Sequence, residues 1–436
     1  SAGNATRTGH DCVGVLEGPA DVYRGIPTLR ALRNFTVGRV RVGDHPELVR
    51  GYALVKRACA LANEELGLLD ADRARLITQS CRDVESGALD DQFPIDALQG
   101  GAGTSTNMNV NEVVANRALE LGGHARGDYR FIHPNDDVNR SQSTNDTYPT
   151  ACRLAILDAL GPLLQSTRSL ARSFHRLADR HADDVTIGRT QLQDAVPMTF
   201  GQEFHVFASL LKADARALEG LRPTLETINL GATAVGTGIC ADVRFRESAV
   251  RHLAAITGLA LSAAPDPVAA VTDMSAFVTT SSTLKNLAIH LKKAADDLRL
   301  LNSGPHAGLD EIDVPARQAG SSIMPGKVNP VIPECVDQCC FMVIGMDATV
   351  GMASSEGQLQ LNAFEPVVIH QILTAMELLG NAMDMFRERY VAGITVDTAR
   401  RRRYAAASPS IPAALHPVLG HDGSVALAPG ATRSGR

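Results

Sequence analysis

"TYPTACRLAILDALGPLLQSTRSLARSFHRLADR", residues 147–180, places Leu157, Leu160, Leu164, Leu170, Phe174 and Leu177 at mostly three- to four-residue steps. That spacing sets them on one side of an α-helix, and it predicts a helix over 147–180 with one apolar stripe facing a core. Gly161-Pro162 falls inside it and should kink or loosen it, because proline lacks a backbone donor and crowds the preceding turn. Four further stretches, about 196–229, 270–303, 330–354 and 357–391, have the same helical character. Long helices joined by short connections read as a bundle, so the expected fold is mainly α with a central bundle of five long helices. Several are apolar on more than one side, as in "CCFMVIGMDATVGMA" (339–353), which one chain cannot cover. Self-association follows.

Composition agrees. Of 436 residues, 44% are hydrophobic and 21% charged, but only 4% are aromatic and none is Trp, which favours helix packed on helix over sandwiches or barrels. The net charge of -6 argues against general nucleic-acid binding. Arg400–Arg403 is the one basic run and reads as a solvated helix end. Eight cysteines in a chain this long make no disulfide framework. Cys335, Cys339 and Cys340 lie in an apolar helical stretch without a C-x-x-C pair, so they read as buried free thiols. No apolar run reads as long enough to span a bilayer and no signal pattern opens the chain, so no membrane is expected and the cytoplasm follows by default. Ser1 in place of Met reads as a processed or engineered start.

The division expected is a mixed helical segment over 1–142, the long-helix bundle over 143–394 and a short terminal segment over 395–436. From about residue 405 the chain is rich in Pro, Gly and Ala and should be poorly ordered.

Polar loops interrupt the helical pattern. "GSSIMPGKVNP" (320–330) ends in Asn329-Pro330, a strong helix start in which Asn caps and Pro takes the first position. The helix dipole with Lys327 beside it makes an anion site, and Gly320 and Gly326 supply hinges around Ser321-Ser322. The plain alternative is a Gly/Ser/Pro connector. "GTSTNMN" (103–109), "SQSTND" (141–146) and "GRTQLQDAVPM" (188–198) are equally dense in hydroxyls and amides, and each taken singly is a capping or turn cluster. His133, Asp136 and Asp137 in "HPNDD" match no standard metal-ligand spacing, so no metal is expected. No P-loop or strand-borne GxGxxG seats a nucleotide, and the glycines of "GATAVGTGI" (231–239) follow a helical pattern. No cofactor is expected. Many neutral donors and one cation suit a small polyanion such as a di- or tricarboxylate.

The same loops carry a family resemblance. "GSSIMPGKVNP" is similar to the signature of the aspartase/fumarase superfamily, whose members eliminate a group beside a carboxylate to form fumarate. "QGGAGTSTNMN", "HPNDDVNRSQSTNDTYPT", "GRTQLQDAVPMTFGQEF" and "LGATAVGTGI" follow in the family's order, so the resemblance covers roughly residues 12 to 425. Within the superfamily, Gln191 stands where the fumarase branch typically carries His, which resembles the aspartase branch. Ammonia leaves more readily than hydroxide, so a neutral amide that orients the substrate suffices there.

The resemblance implies a carbon–nitrogen lyase that reversibly deaminates L-aspartate to fumarate and ammonia. It implies a three-domain fold whose helices form the core of a homotetramer, each site drawing Ser143–Asn145, Thr190–Gln191 and Ser321–Asn329 from three subunits. Ser321 is implied as the base that removes the Cβ proton. Thr104, Ser143, Thr144 and Ser322 are implied as donors to the enediolate-like dianion, and Lys327 and Asn329 as the clamp on the other carboxylate. Asn145, Thr190 and Gln191 would face the ammonium. Cys240 and His306 replace a usual Asn and a common Arg away from these residues, and the chain stops short of the family's usual C-terminal segment. A fumarate hydratase is the nearest alternative. A catalytically silent scaffold is the more distant one, and retention of Ser321, Lys327 and Asn329 argues against it.

Overall fold

In the computed structural model, which describes residues 5–408 and 416–426, the opening stretch forms one helix. The chain begins with an antiparallel hairpin, β1 (Thr6–Asp11) and β2 (Gly14–Pro19). Helices α1 (Ile26–Asn34), α2 (Pro46–Glu65), α3 (Ala71–Glu85) and α4 (Thr104–Leu121) follow, and then α5 (Thr144–Arg180). A second hairpin, β3 (Val185–Thr190) and β4 (Gln193–Thr199), leads into α6 (Phe200–Glu219) and the short α7 (Arg222–Leu225). Next come β5 (Thr227–Ile228), α8 (Phe245–Thr257), β6 (Ser262–Ala263), α9 (Pro267–Thr272) and α10 (Ser275–Leu301). The remainder is β7 (Ile312–Asp313), α11 (Val331–Ser355), α12 (Glu365–Arg389), β8 (Thr395–Val396), α13 (Thr398–Ala407) and α14 (His416–Ala426). The fold is mainly α, as the apolar periodicity requires.

Two compact units divide the chain. One comprises 1–161, 220–282 and 345–376, and the other 162–219, 283–344 and 377–436. In the first, α2 packs on α3 and α8, and α3 on α4, around a core that includes Tyr52, Ile77, Val113 and Leu253, each fully buried. In the second, Phe174 of α5 lies 5.2 Å from Phe207 of α6 and 6.2 Å from Phe386 of α12, ring centre to ring centre. Polar ties also join helices of this unit. Ser166 of α5 donates to Asp384 of α12 at 2.9 Å, and Arg299 of α10 pairs with Asp337 of α11 at 2.7 Å.

Several expectations shift. Helix α5 runs 37 residues without interruption through Gly161-Pro162. The stretch 196–229 is shorter as a helix than its pattern indicated: 20 residues of α6 follow a strand and precede the four-residue α7. Helix α11 is, by length and composition alone, apolar enough to cross a membrane, contrary to the sequence reading, with a third of its most apolar window buried. Of the three cysteines there only Cys340 is buried, while Cys339 is half-buried and Cys335 exposed. The glycines of 231–239 belong to a loop, with Gly231, Gly236 and Gly238 at φ of 89°, 93° and 73°, conformations no helix contains. Arg400–Arg403 is not a solvated helix end throughout, because Arg401 is 1% exposed. Residues 409–415 and 427–436, part of the end expected to be poorly ordered, lie outside the described residues.

Candidate active site

The sequence-derived residues fall into two groups, one in each unit. Thr104, Ser143, Thr144 and Asn145 belong to the first, where the opening turns of α4 and α5 pack together. Gly103 precedes α4 at φ 87°, and a Cβ there would sit 2.3 Å from the Tyr148 ring, so only glycine lets the two helix starts meet. Thr104 is the first residue of α4 and is exposed. Ser143 caps α5 reciprocally: its Oγ accepts from Asn145 N at 3.2 Å, and its own N–H donates to Asp146 Oδ1 at 3.0 Å. Thr144 is 9% exposed and its Oγ1 accepts from Asn107 Nδ2 at 3.1 Å. Asn145 donates through Nδ2 to the Ala234 carbonyl at 2.8 Å, which ties α5 to the glycine loop.

Beneath these donors lies a polar network that sequence reasoning missed. Lys56, fully buried on α2, donates to Asn107 Oδ1 at 2.7 Å and to Asn139 Oδ1 and Gln142 Oε1 at 2.9 Å each. Its three ammonium hydrogens thus meet three amide oxygens, and burial lowers its pKa to about 8. Asp146, also fully buried, accepts from Gly231 N at 2.9 Å and Thr233 N at 3.0 Å in addition to Ser143. Burial raises its pKa to about 6, against the pull of those three N–H groups. Asn107, Gln142 and Asp146 sit inside quoted motifs, but Lys56 lies on an ordinary amphipathic helix and nothing nearby marks it. A cavity of about 610 Å³ opens beside Ser143, lined also by Asn139, Arg140, Gln142, Ile239 and Cys240. Cys240, at φ 71°, is therefore closer to the candidate donors than its sequence position indicated.

His133 does not read as a metal ligand here. Its Nδ1 accepts from Asn135 N at 3.0 Å and Asp136 N at 3.1 Å, so it caps a turn at Pro134–Val138. Among the described residues no group of three or more His, Cys, Asp or Glu is placed to hold a metal ion.

In the second unit, Thr190 and Gln191 form the exposed tip of the β3–β4 hairpin. Thr190 pairs with Gln193, and the two loop residues, Gln191 and Leu192, have φ of 55° and 61°. That is the sign pattern of a type I′ turn, built without the usual Asn or Gly. Two side-chain-bearing residues held at positive φ are strained, and strain of this kind concentrates at functional sites.

Ser321, Ser322, Lys327 and Asn329 occupy the loop before α11. Gly320 N–H donates to the Lys327 carbonyl at 2.8 Å, and a Cβ on Gly320 would meet that oxygen at 2.5 Å. The loop therefore closes on itself only with glycine there. Asn329 does not cap α11 as expected: its Nδ2 donates to the Gly320 carbonyl at 2.7 Å, and the first helical bond is from Glu334 N to Pro330 O at 3.2 Å. An amide that ties the loop's two ends together is the better use of a side chain one residue before the cap. Ser321 Oγ accepts from Ile323 N and Met324 N, each at 3.2 Å. Ser322 and Lys327 are exposed.

Known proteins share this arrangement of sequence and fold. A family described as lyase matches residues 14–345. The chain is 50% identical to an aspartate ammonia-lyase of Pseudomonas fluorescens, over 100% of this chain and 91% of that one. It is 46% identical to the enzyme of the same name from Escherichia coli K12, over 96% and 88%. The chain belongs to this lyase family. Among solved structures, a fumarate lyase:delta crystallin of Brucella melitensis bound to cobalt aligns with a TM-score of 0.95 and 50% identity, covering 97% of this chain and 92% of that one. A class II fumarase of Schistosoma mansoni aligns with a TM-score of 0.94 at 33% identity, covering 97% and 92%. The lyase family's fold thus spans the helical bundle and both groups of candidate residues.

Proposed function

We propose that this lyase reversibly deaminates L-aspartate to fumarate and ammonia, with Ser321 as the base that takes the Cβ proton. The observation that carries the reading is the pair of backbone N–H groups, from Ile323 and Met324, directed at Ser321 Oγ. A serine hydroxyl is ordinarily far too weak a base for a carbon acid. Two N–H donors stabilise its alkoxide before the substrate arrives, without reorganisation during the reaction. The similarity to aspartate ammonia-lyases at 46% to 50% identity supports the choice of substrate, as does Gln191 at the strained hairpin tip.

In this reading proton loss places a second negative charge on the neighbouring carboxylate, and Thr104, Ser143, Thr144 and Ser322 donate to that dianion. Lys327 and Asn329 hold the other carboxylate, while Asn145, Thr190 and Gln191 face the ammonium. The pinched loop from Gly320 to Asn329 closes over the substrate and excludes water. No cofactor takes part. The proposed enzyme has three parts divided at 142 and 394 and works in the cytoplasm; eight cysteines present as free thiols suit a reducing compartment.

The assembly belongs to the proposal too: a homotetramer with each site built from three chains. On α11, Phe341, Met342 and Met352 are 55%, 57% and 64% exposed, a row of large apolar side chains that a second copy would cover. The test is ultraviolet absorbance of fumarate with L-aspartate or L-malate supplied separately. Fumarate from aspartate alone supports the reading. Fumarate from malate alone replaces it with a hydratase, and none from either leaves a silent scaffold.

A further inference from the structure

The hairpin tip with Thr190 and Gln191 is held from below by charges that the reaction itself does not need. Glu311, 1% exposed, precedes β7, and its two carboxylate oxygens serve two different arginines. One oxygen accepts from Arg189 Nη2, on the residue immediately before Thr190. The other accepts from Arg401 Nη2 at 2.7 Å and from Arg189 Nη1 at 3.4 Å. Arg401 comes from α13 and is itself 1% exposed. Its guanidinium lies 3.2 Å above the Phe200 ring centre, at the start of α6, and its Nη1 is 3.6 Å from Glu203.

Further contacts fix α13 to the same hairpin. Ser408 Oγ donates to Asp194 Oδ2 at 2.7 Å, and Asp194 pairs with Arg189 across the hairpin. Asp397 caps α13 by accepting from Arg400 N at 2.9 Å, while its own N–H donates to the Glu311 carbonyl at 3.3 Å. A buried carboxylate shared by two guanidiniums fixes positions well, since it holds both arginines to one point through charge-assisted hydrogen bonds. Its cost is desolvation of three ionic groups, which a simple connector helix would not require.

We infer that Glu311, Arg189 and Arg401 form a positioning clamp that sets the height and direction of the Thr190–Gln191 turn, making α13 part of the substrate-recognition apparatus. The inference rests on the proposed role of Gln191 toward the substrate ammonium. Arg189 transmits the clamp directly, because it is bonded to Thr190 and precedes a turn already held at positive φ. A group displaced by about 1 Å can cost a hundredfold in rate or selectivity, so a modest loosening is measurable.

The test compares L-aspartate with succinate, a dicarboxylate lacking the ammonium, on the full assembled chain. Arg401→Met leaves Glu311 paired with Arg189. Arg401→Lys, which keeps the charge but not the two-nitrogen fork, is measured beside it, so that a Met variant failing to assemble does not end the test. Both should raise KM for aspartate at least about fivefold while leaving the inhibition constant of succinate unchanged. A change confined to general stability would shift both ligands together. Gln191→Ala should show the same selective loss, and combining it with the Arg401 change should add little further. If Gln191→Ala is selective but the Arg401 variants are not, or if the two effects add fully, the clamp is overturned and Gln191 keeps its role. If Gln191→Ala shows no selectivity, the assignment of Gln191 fails, and the clamp's purpose with it.

Discussion

Ile323 and Met324 direct their N–H groups at the hydroxyl of Ser321, and the neighbouring Ser322 lies exposed on the same loop. The difference between the two serines is environmental, so removing one oxygen atom isolates it. Ser321→Ala should cut kcat at least about a hundredfold, with helix content and assembly retained. Near-normal fumarate production by that variant removes Ser321 from the role. Lys327 is exposed beside the start of α11, and its proposed work is binding. Lys327→Ala should weaken succinate inhibition as well as slowing turnover, and unchanged inhibition would refute the carboxylate clamp. At this scale the motif loops were legible because chemistry-bearing residues are crowded within a few positions. Lys56 and Arg401 were not. Their burial depends on Asn139 and Gln142, over eighty residues later, and on Glu311, 90 residues earlier, and a local pattern holds no trace of such partners.

Elements follow the same division. The stripe from Leu157 to Leu177 foretold α5, since apolar residues sustained at a 3.6-residue period line up on one side of a helix and on no face of a strand. The β3–β4 hairpin was hidden because its two-residue turn is Gln191-Leu192, without the Asn-Gly signal, and because the apolar run after it resembles a helix. The glycine loop at 231–239 was hidden because its φ signs answer to Asp146 on another element. Helix α12 carries a testable charge in its first turn. Glu365 is buried, its Oε2 has no hydrogen-bond partner, and burial pushes its pKa up to about 8. Between the ordinary carboxylate range and about pH 8 the folded protein therefore holds more protons than the unfolded chain. Stability falls as pH rises through that window and levels off above it, by at most about 1.4 kcal/mol per pH unit. Glu365→Gln lacks this loss. Its urea midpoint should match wild type near pH 5 and exceed it at pH 8.5, at one fixed protein concentration. Midpoints that stay parallel across that range would show that Glu365 is ionised throughout.

For the whole molecule, the proposed tetramer would cover the exposed apolar side chains of α11. The sequence led to the expectation of self-association because helices that are apolar on several sides cannot be covered by one chain. How many chains meet, and which segments share a site, is not written in any periodicity and came only with the family resemblance. The central claim is that Asn145 and Ser321 serve one active site from different chains. The measurement that tests it is co-refolding of two inactive variants, Asn145→Ala and Ser321→Ala, followed by assay of fumarate from L-aspartate. Mixed tetramers should assemble some sites with neither defect and recover a fraction of wild-type activity, although each variant refolded alone stays inactive. Verified mixed tetramers with no recovered activity would contradict the account.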